Sequence, residues 1–265
     1  MTTFKIATFN ANSIRTRLAQ ILEWLARERP DVLCVQETKV QDSEFPAQPF
    51  QDAGYSVAFN GQKAYAGVAL ISRTPPDILA AGFPNGDDQP RLQRATFGDL
   101  VVINTYVPQG RAPDSEHFQY KLQWFARFRQ LLEQQHTPEQ SIVWVGDFNV
   151  ATSDLDVYNP TGLRDHVDFH PAAQAALEQV RQWGFEDVFR RHHPDEPGQF
   201  SYWDYRAHNP VERGVGWRID HIWATPNLAE RSARAWIDVA ARHAARPSDH
   251  TFVVAEFALS HTPSD

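Results

Sequence analysis

The chain has 265 residues, of which 42% are hydrophobic, and this length allows a large buried core. No apolar run approaches the roughly 18 residues of a membrane span, the only cysteine is Cys34, and the N-terminus lacks a signal-peptide pattern. These features exclude a disulfide scaffold and a membrane protein, and they favour the cytoplasm. The net charge of −8 argues against binding nucleic acid by bulk positive charge, but an enzyme that contacts only a few phosphates remains compatible with it.

Local patterns predict strands and helices along the whole chain. Capping residues and apolar stripes predict helices at Ser13–Arg29, Ser115–Gln135 and Pro171–Trp183. Runs rich in Val, Ile and aromatic residues predict strands at Lys5–Phe9, Val32–Gln36, Tyr55–Phe59, Val68–Ser72, Val101–Tyr106, Ile142–Gly146, His221–Ala224, Ala233–Val239 and Thr251–Phe257. Since no linker or low-complexity segment interrupts the series, we expect a single domain over residues 1–265.

Two segments repeat the order strand, helix, strand, and their strands end at polar residues. The strands of the first segment end at Asn10 and Glu37, and those of the second end at Tyr106 and at Asp147 with Asn149. Polar residues just beyond an apolar strand lie at the rim of a sheet, where functional groups collect. The repeat therefore predicts two packed sheets whose rims lie side by side.

The run Ile142–Asn149 carries the strongest local signal. A fully apolar strand ends at Gly146, and Asp147 and Asn149 follow it two residues apart. In an extended chain such residues face the same way, so the carboxylate and the amide would point into one site. The alternative interpretation is an ordinary turn, for which Gly, Asp and Asn are common.

A second apolar run, Val32–Val35, leads to Glu37. Mg²⁺ in proteins is usually held by one or two carboxylates and keeps several waters. Glu37 is therefore a candidate ligand, and the alternative is a solvated glutamate.

Two further polar groups precede strands. Asp220 comes before His221–Ala224, and Asp249 and His250 come before Thr251–Phe257. A strand antiparallel to its neighbour begins at the rim where the neighbour ends, so all these groups can meet at one rim. A histidine beside carboxylates can be kept charged near neutral pH. The alternatives are an arginine partner for Asp220 and a surface position for His250.

Together these residues supply what phosphodiester hydrolysis requires, namely an activated water, a cation on the developing charge and help for the leaving oxygen. Their expected roles are metal ligation by Glu37 with Asn12 and Asp249, orientation and deprotonation of water by Asp147 and Asn149, donation to phosphate by His250 held by Asp220, and a hydrogen bond near the phosphate or the leaving group from Tyr106.

At these positions the sequence resembles the exonuclease III family of apurinic/apyrimidinic endonucleases, within the superfamily that includes deoxyribonuclease I and inositol-polyphosphate 5-phosphatases. Six motifs occur in the family's order, at Phe9–Arg15, Gln36–Lys39, Tyr106–Gly110, Gly146–Asn149, Trp217–Asp220 and Pro247–His250. The resemblance implies an α/β four-layer sandwich, with two packed mixed β-sheets flanked by helices. It also implies Mg²⁺, or Mn²⁺ in its place, and action on double-stranded DNA by cleavage 5′ to abasic sites, 3′→5′ exonuclease activity and trimming of 3′ ends. A monomer is the default expectation.

The resemblance also assigns residues by position. It implies that Glu37 is the principal metal ligand and that Asn10, Asn12, Asp147 and Asp249 lie at or near the ion. It implies further that Asp147 and Asn149 act on the water and that Tyr106, Asp220 and His250 lie at the scissile phosphate. Whether one metal or two are bound, and whether Asp147 is the base, stays open at this point.

The segment Phe200–Arg206 also matches, and with the Trp217 motif it implies an apolar pocket for a flipped sugar that lacks its base. The candidate pocket residues are Tyr202, Trp203, Trp217 and Ile219, and the alternative is plain core packing.

Arg94 and Arg218 are candidates for gripping DNA phosphates, among several arginines that a solvated surface explains equally well.

Two other functions are kept as alternatives. A phosphatase of the same superfamily acting on small phosphate esters would share the metal, Asp147, Asp220 and His250, but it would not need the aromatic pocket segment. A non-catalytic DNA-binding protein with this fold would be expected to lose catalytic residues, and metal-dependent nicking of DNA would exclude it.

Overall fold

Two six-stranded mixed β-sheets form the centre of the protein in a computed structural model, which describes residues 2–86 and 89–259. The strands are β1 (Thr2–Asn10), β2 (Val32–Gln36), β3 (Ser56–Asn60), β4 (Val68–Ser72), β5 (Ile78–Ala81), β6 (Leu92–Phe97), β7 (Leu100–Tyr106), β8 (Ser141–Asp147), β9 (Glu186–Asp187), β10 (Asp220–Ala224), β11 (Ser232–Asp238) and β12 (Phe252–Leu259). The first sheet has the order β11-β12-β1-β2-β4-β3, and the second has the order β5-β6-β7-β8-β10-β9. Only the pairs β1–β2 and β7–β8 are parallel among the paired strands described.

Helices cover the outer face of each sheet. The helices of the described chain are α1 (Ile14–Glu28), α2 (Ala47–Asp52), α3 (Glu116–Gln135), α4 (Pro171–Arg181), α5 (Val188–His192) and α6 (Pro226–Ala229), with 3₁₀ turns at Asp42–Glu44, Asp154–Asp156 and Val239–His243. The short helices α5 and α6 instead pack against the apolar cluster between the sheets. Helix α1 packs on the first sheet, and α3 and α4 pack on the second. No helix in the described part of the chain has the length and apolar character needed to cross a bilayer.

The faces of β2 show how sequence alternation builds these layers. Val32 and Cys34 pack between the two sheets, whereas Leu33 and Val35 pack on the side that α1 covers. Alternate residues of a strand point to opposite faces, and a strand buried on both faces is therefore apolar throughout. The layers are helices, sheet, sheet and helices, which confirms the predicted four-layer α/β sandwich.

The predicted units strand, helix, strand are the parallel pairs β1–β2 and β7–β8. Strands β10 and β12 run antiparallel to β8 and β1, and they begin at the rim where those strands end. Asp220 lies directly opposite Asp147 in the register of β10 and β8. All four predicted polar clusters therefore lie at one rim.

The predicted strands and the three predicted helices are confirmed, with ends that differ by at most three residues. The sequence patterns did not mark β5, β6 and β9. Strand β5 is an exposed edge strand, on which Ile78 is 64% exposed, so it shows no alternation of apolar and polar residues. Strand β9 has only two residues.

Candidate active site

The amide of Asn10 joins the two sheets at the rim. Its nitrogen Nδ2 donates to Glu37 Oε1 at 2.8 Å and to Asp147 Oδ2 at 2.9 Å. Glu37 follows a strand of the first sheet, and Asp147 ends a strand of the second. One neutral donor therefore brings two carboxylates from different sheets into one site.

The side-chain oxygens of Glu37, Asn12 and Asp249 are linked by hydrogen bonds and an ion pair. The side chain of Asn12 donates to Asp249 Oδ1 at 3.0 Å, and its own Oδ1 accepts from Lys39 Nζ at 2.5 Å. Lys39 Nζ also lies 2.7 Å from Glu37 Oε2. An ammonium group is thus drawn to the oxygens predicted as metal ligands. Carboxylate and amide oxygens are also the donors that Mg²⁺ prefers, so the set fits a hard divalent cation.

The turn after β8 holds Asp147 and Asn149 in fixed positions. A Cβ on Gly146 would lie 1.9 Å from the carbonyl oxygen of Thr105, so only glycine allows the strands to approach this closely. Asp147 Oδ1 accepts from the backbone N–H of Asn149 at 2.9 Å, and the Asn149 side chain donates to the carbonyl of Val107 at 2.9 Å. The backbone of Asn149 has φ +49°, a left-handed conformation that asparagine tolerates.

A buried histidine lies across from Asp147. His250 Nδ1 donates to Asp220 Oδ2 at 2.8 Å, and its Nε2 lies 3.9 Å from Asp147 Oδ2. Ligand atoms of these three residues lie within 4.8 Å of one another, so they too are a group that can hold a metal ion. The Nδ1 hydrogen bond fixes the ring and leaves Nε2 directed towards Asp147.

The pKa values of Asp147 and His250 are both raised above their ordinary values. Burial raises the pKa of Asp147 to about 8, with the charges of Asp220 and Glu37 acting the same way against the lowering effect of His250. Burial lowers the pKa of His250, but the carboxylates of Asp220, Asp147 and Asp249 together outweigh burial and raise this pKa to about 10. At neutral pH His250 is therefore charged and can donate a proton, and the raised pKa makes the ionised form of Asp147 a stronger base than an ordinary carboxylate.

Tyr106 closes the rim beside Glu37. Burial, followed by the charge of Glu37, raises the pKa of Tyr106 well above its ordinary value, so the phenol stays protonated. The guanidinium of Arg91 lies 4.5 Å from the centre of the Tyr106 ring and donates to its carbonyl oxygen at 3.2 Å. Tyr106 is therefore a neutral hydrogen-bond donor, and the guanidinium of Arg91 is held beside it.

A cavity of about 670 Å³ opens over these groups. Glu37, Tyr106, Asp147, Asn149, Asp249 and His250 line its polar end, and Tyr158, Leu163, His166, Tyr202, Trp217 and Ile219 line the other. The strand positions of Tyr202, Trp217 and His250 are linked by backbone bridges. The ring centre of His166 lies 4.6 Å from that of Trp217.

One predicted substrate contact, Arg218, is wrong, and two others, Arg94 and Trp203, lie outside the cavity. Arg218 is fully buried and pairs with Asp156 at 2.7 Å and Asp187 at 2.8 Å. Arg94 donates to Gln135 at the end of α3, and it does not line the cavity. Trp203 is a core residue, 3% exposed, and it also lies outside the cavity.

Asp220 lies behind His250, fully buried, and does not line the cavity. The structure therefore supports the prediction that it holds His250 more directly than the expectation that it lies at the phosphate.

The structure also brings in residues that sequence reasoning did not assign. Gln109, His166 and Asp168 line the cavity. Gln109 lies inside the motif Tyr106–Gly110, so the sequence offered a signal for it. His166 and Asp168 follow no strand and belong to a segment without periodicity, so no sequence signal marked them.

Comparison with known proteins agrees with this geometry. The profile of the Endonuclease/Exonuclease/phosphatase family matches residues 7–250. Exodeoxyribonuclease III of Haemophilus influenzae is 36% identical over 96% of this chain and 99% of its own length. The structure of an AP endonuclease from Archaeoglobus fulgidus has a TM-score of 0.94 and 45% identity, covering 97% of this chain and 100% of that chain. A 3′ phosphatase from Neisseria bound to a product DNA hairpin has a TM-score of 0.92 and 35% identity over the same shares.

The chain therefore belongs to the exonuclease III branch of the endonuclease/exonuclease/phosphatase family. It is a DNA-repair nuclease, a hydrolase of phosphodiester bonds. The family is metal-dependent, and the buried cluster of Asp147, Asp220 and His250 with the oxygens around Glu37 is compatible with that requirement.

Proposed function

We propose that the protein hydrolyses the P–O3′ bond in double-stranded DNA with Mg²⁺, both on the 5′ side of abasic sites and at 3′ ends, and that Mn²⁺ can replace Mg²⁺. One bond type covers these activities, because each one leaves a free 3′ hydroxyl. The observation that carries the proposal is the Asn10 amide, whose Nδ2 donates both to Glu37 Oε1 at 2.8 Å and to Asp147 Oδ2 at 2.9 Å. A cation site and a base at this spacing can act on one phosphate.

The proton transfers follow from the geometry and the pKa directions. Asp147 orients a water and accepts its proton as the water oxygen bonds to phosphorus, and Asn149 fixes the carboxylate through the 2.9 Å hydrogen bond from its backbone N–H. His250, protonated and held by Asp220, donates from Nε2 to a phosphate oxygen. Tyr106 stays neutral and donates a hydrogen bond on the Glu37 side. As the P–O3′ bond breaks, the leaving 3′ oxygen takes up a proton from water and becomes the free 3′ hydroxyl.

Glu37 would hold the divalent cation, with Asn12 and Asp249 as the adjoining oxygen ligands and Asn10 and Asp147 at its edge. When bound, the ion supplies positive charge to the developing phosphorane. Lys39 would then release Glu37 Oε2, from which it lies 2.7 Å away.

The apolar end of the cavity would receive the sugar on the 3′ side of the scissile phosphate. Tyr202, Trp217 and Ile219 supply flat or branched apolar surface there. A sugar without a base presents a similar surface and costs less to flip out of the helix than an intact nucleotide.

A second candidate function confines hydrolysis to 3′ ends, and the position of His166 favours it. Its ring packs against Trp217 inside the cavity and narrows the space for an internal baseless sugar. Two similar proteins of known structure from Neisseria are a 3′ phosphatase and a 3′-5′ exonuclease. A 3′ terminus does not require an internal sugar to enter that end of the cavity.

The two candidates are separated by a gel assay with Mg²⁺ and with EDTA. The substrates are duplexes with an internal abasic site, a 3′ phosphate, a recessed 3′ hydroxyl or no lesion, with an inositol phosphate as the small-ester alternative. Nicking of the abasic duplex supports the first candidate, and reaction at 3′ termini alone supports the second. Asp147→Asn is the inactive variant, and Asp99→Asn, at an exposed turn, is its matched control. Failure to hydrolyse any DNA would refute both candidates.

A further inference from the structure

A buried lysine lies directly behind the cavity, on a helix that carries no proposed catalytic residue. Lys121 belongs to α3, and its side chain has 0% exposure. Burying a lysine is costly unless partners replace water around the ammonium group. The arrangement of its partners therefore carries information about what the residue does.

Four oxygens from three separate loops surround Lys121 Nζ. It donates to the carbonyls of Gln109 at 3.1 Å, Asn149 at 2.6 Å and Val167 at 2.9 Å, and to Asp168 Oδ1 at 3.2 Å. An ammonium has three donors and no acceptor, whereas a neutral amine has one donor fewer. Only the charged form can serve so many acceptors.

The three loops are those that shape the cavity. Gln109 follows β7, Asn149 follows β8, and Asp168 precedes α4, and all three line the cavity. Gln109 Nε2 also donates to Asp168 Oδ2 at 3.2 Å, which links two of the loops a second time. Direct bonds also join neighbouring loops in pairs, from the Asn149 side chain to the carbonyl of Val107 at 2.9 Å and from the Ala151 N–H to the carbonyl of Asp168 at 2.7 Å. Lys121 Nζ differs from these bonds because it reaches all three loops at once.

Asn149 shows how this attachment reaches the reacting groups. Its carbonyl is held by Lys121, and its backbone N–H is held by Asp147 Oδ1 at 2.9 Å. Its left-handed backbone, at φ +49°, is the conformation that directs these two groups to their partners. Releasing the carbonyl frees Asn149 to relax, and Asp147 then loses a fixed donor.

We infer that Lys121 is a positioning residue that sets the cavity and the Asp147–Asn149 turn in their working geometry by binding the carbonyls of three loops. It touches neither substrate nor reacting atoms. The inference rests on the proposed site of hydrolysis, but it does not depend on which DNA end or lesion is preferred. Misplacement by about 1 Å can cost about 10²-fold in rate.

The test is chemical rescue of Lys121→Ala on whichever duplex the native enzyme cleaves best. We expect kcat to fall about 10²-fold with a smaller change in KM. Methylammonium or ethylammonium, which can fill the space left by the side chain and donate to the same oxygens, should restore kcat by about tenfold, a change of about 1.4 kcal/mol in barrier. Tetramethylammonium has no N–H group and serves as the matched salt control, and the native enzyme in each salt gives the baseline.

Lys121→Met keeps most of the side-chain volume and serves as the second variant, with near-ultraviolet circular dichroism as the measure of its packing. A folded Lys121→Met with kcat reduced about as far supports the inference. Native-like kcat in either variant would overturn it, as would equal recovery with tetramethylammonium. Failure of both variants to fold in the presence of methylammonium would also overturn it, because Lys121 would then be required for the fold as a whole. If the native enzyme cleaves no duplex, it is the proposed function that fails.

Discussion

Acid should destabilise the protein through His221, a histidine that the fold keeps neutral. Its ring is fully buried in β10, where Nε2 donates to the carbonyl of Val150 at 2.8 Å and Nδ1 accepts from Arg218 Nη1 at 3.1 Å. Both ring nitrogens are therefore occupied in one neutral tautomer. A proton on Nδ1 would set an N–H group against the guanidinium of Arg218.

Burial, followed by the charge of Arg218, lowers the pKa of His221 from 6.5 to about 4, although Asp187 acts in the opposite direction. Between these two pH values the unfolded chain binds a proton that the folded protein does not, so stability falls as the pH falls from 6.5 towards 4. The full loss is about 3 kcal/mol, and about 2 kcal/mol of it is expected between pH 7 and pH 5.

The assay is urea unfolding at pH 7 and pH 5 in metal-free buffer, followed by tryptophan fluorescence. His221→Gln removes the titration and keeps an amide that can donate to Val150, and His208→Gln, at an exposed position, is the control. The free energy of unfolding should fall by about 2 kcal/mol more in the native protein than in His221→Gln over this interval. Carboxylates that titrate in both proteins cancel in the difference. An identical pH dependence in the two proteins would refute the reasoning.

Three further predictions concern the site and its support. Asp147→Asn should lower kcat by roughly 10²–10⁴-fold on the preferred duplex while the melting temperature is retained, and a rate equal to that of Asp99→Asn would contradict its role as base. Lys39→Gln should lower the dissociation constant for Mg²⁺ about tenfold, measured by calorimetry, because the ammonium group no longer competes with the ion for Glu37. A higher dissociation constant would show instead that Lys39 assists binding of the ion. Arg218→Met should reduce the free energy of unfolding by about 3–5 kcal/mol, measured by urea titration, because Asp187 loses its buried cation and Asp156 keeps only Arg190.

The parts of the fold that were predictable are those in which a sequence period and a buried face coincide. The apolar run Val32–Val35 lies in a strand that is buried on both faces, and the apolar stripe on α1 packs against the first sheet. The polar groups at the strand ends were found for the same reason, since an apolar run marks where its strand ends. Strands β5 and β6 lie at and next to the edge of the second sheet, where weaker burial leaves weaker patterning.

The wrong prediction for Arg218 could have been avoided by applying the alternation of side chains along a strand more strictly. Trp217 and Ile219 line the cavity, and adjacent residues in an extended segment point to opposite sides. Arg218 must then point away from the cavity, where it meets Asp156 and Asp187. The alternation that correctly selects the two apolar residues therefore excludes the arginine between them as a phosphate contact.

The contacts that hold the site residues in place could not be predicted by such rules, because many of the partners are backbone carbonyl oxygens. Lys121 binds three carbonyls, His221 binds the carbonyl of Val150, and the Asn149 side chain binds the carbonyl of Val107. Every residue has a carbonyl, so its sequence letter does not say which one will accept a buried donor; the chain path decides this. Side chains that perform chemistry can thus be read from residue type and position, whereas the groups that hold them in place become visible only when distant loops have been brought together.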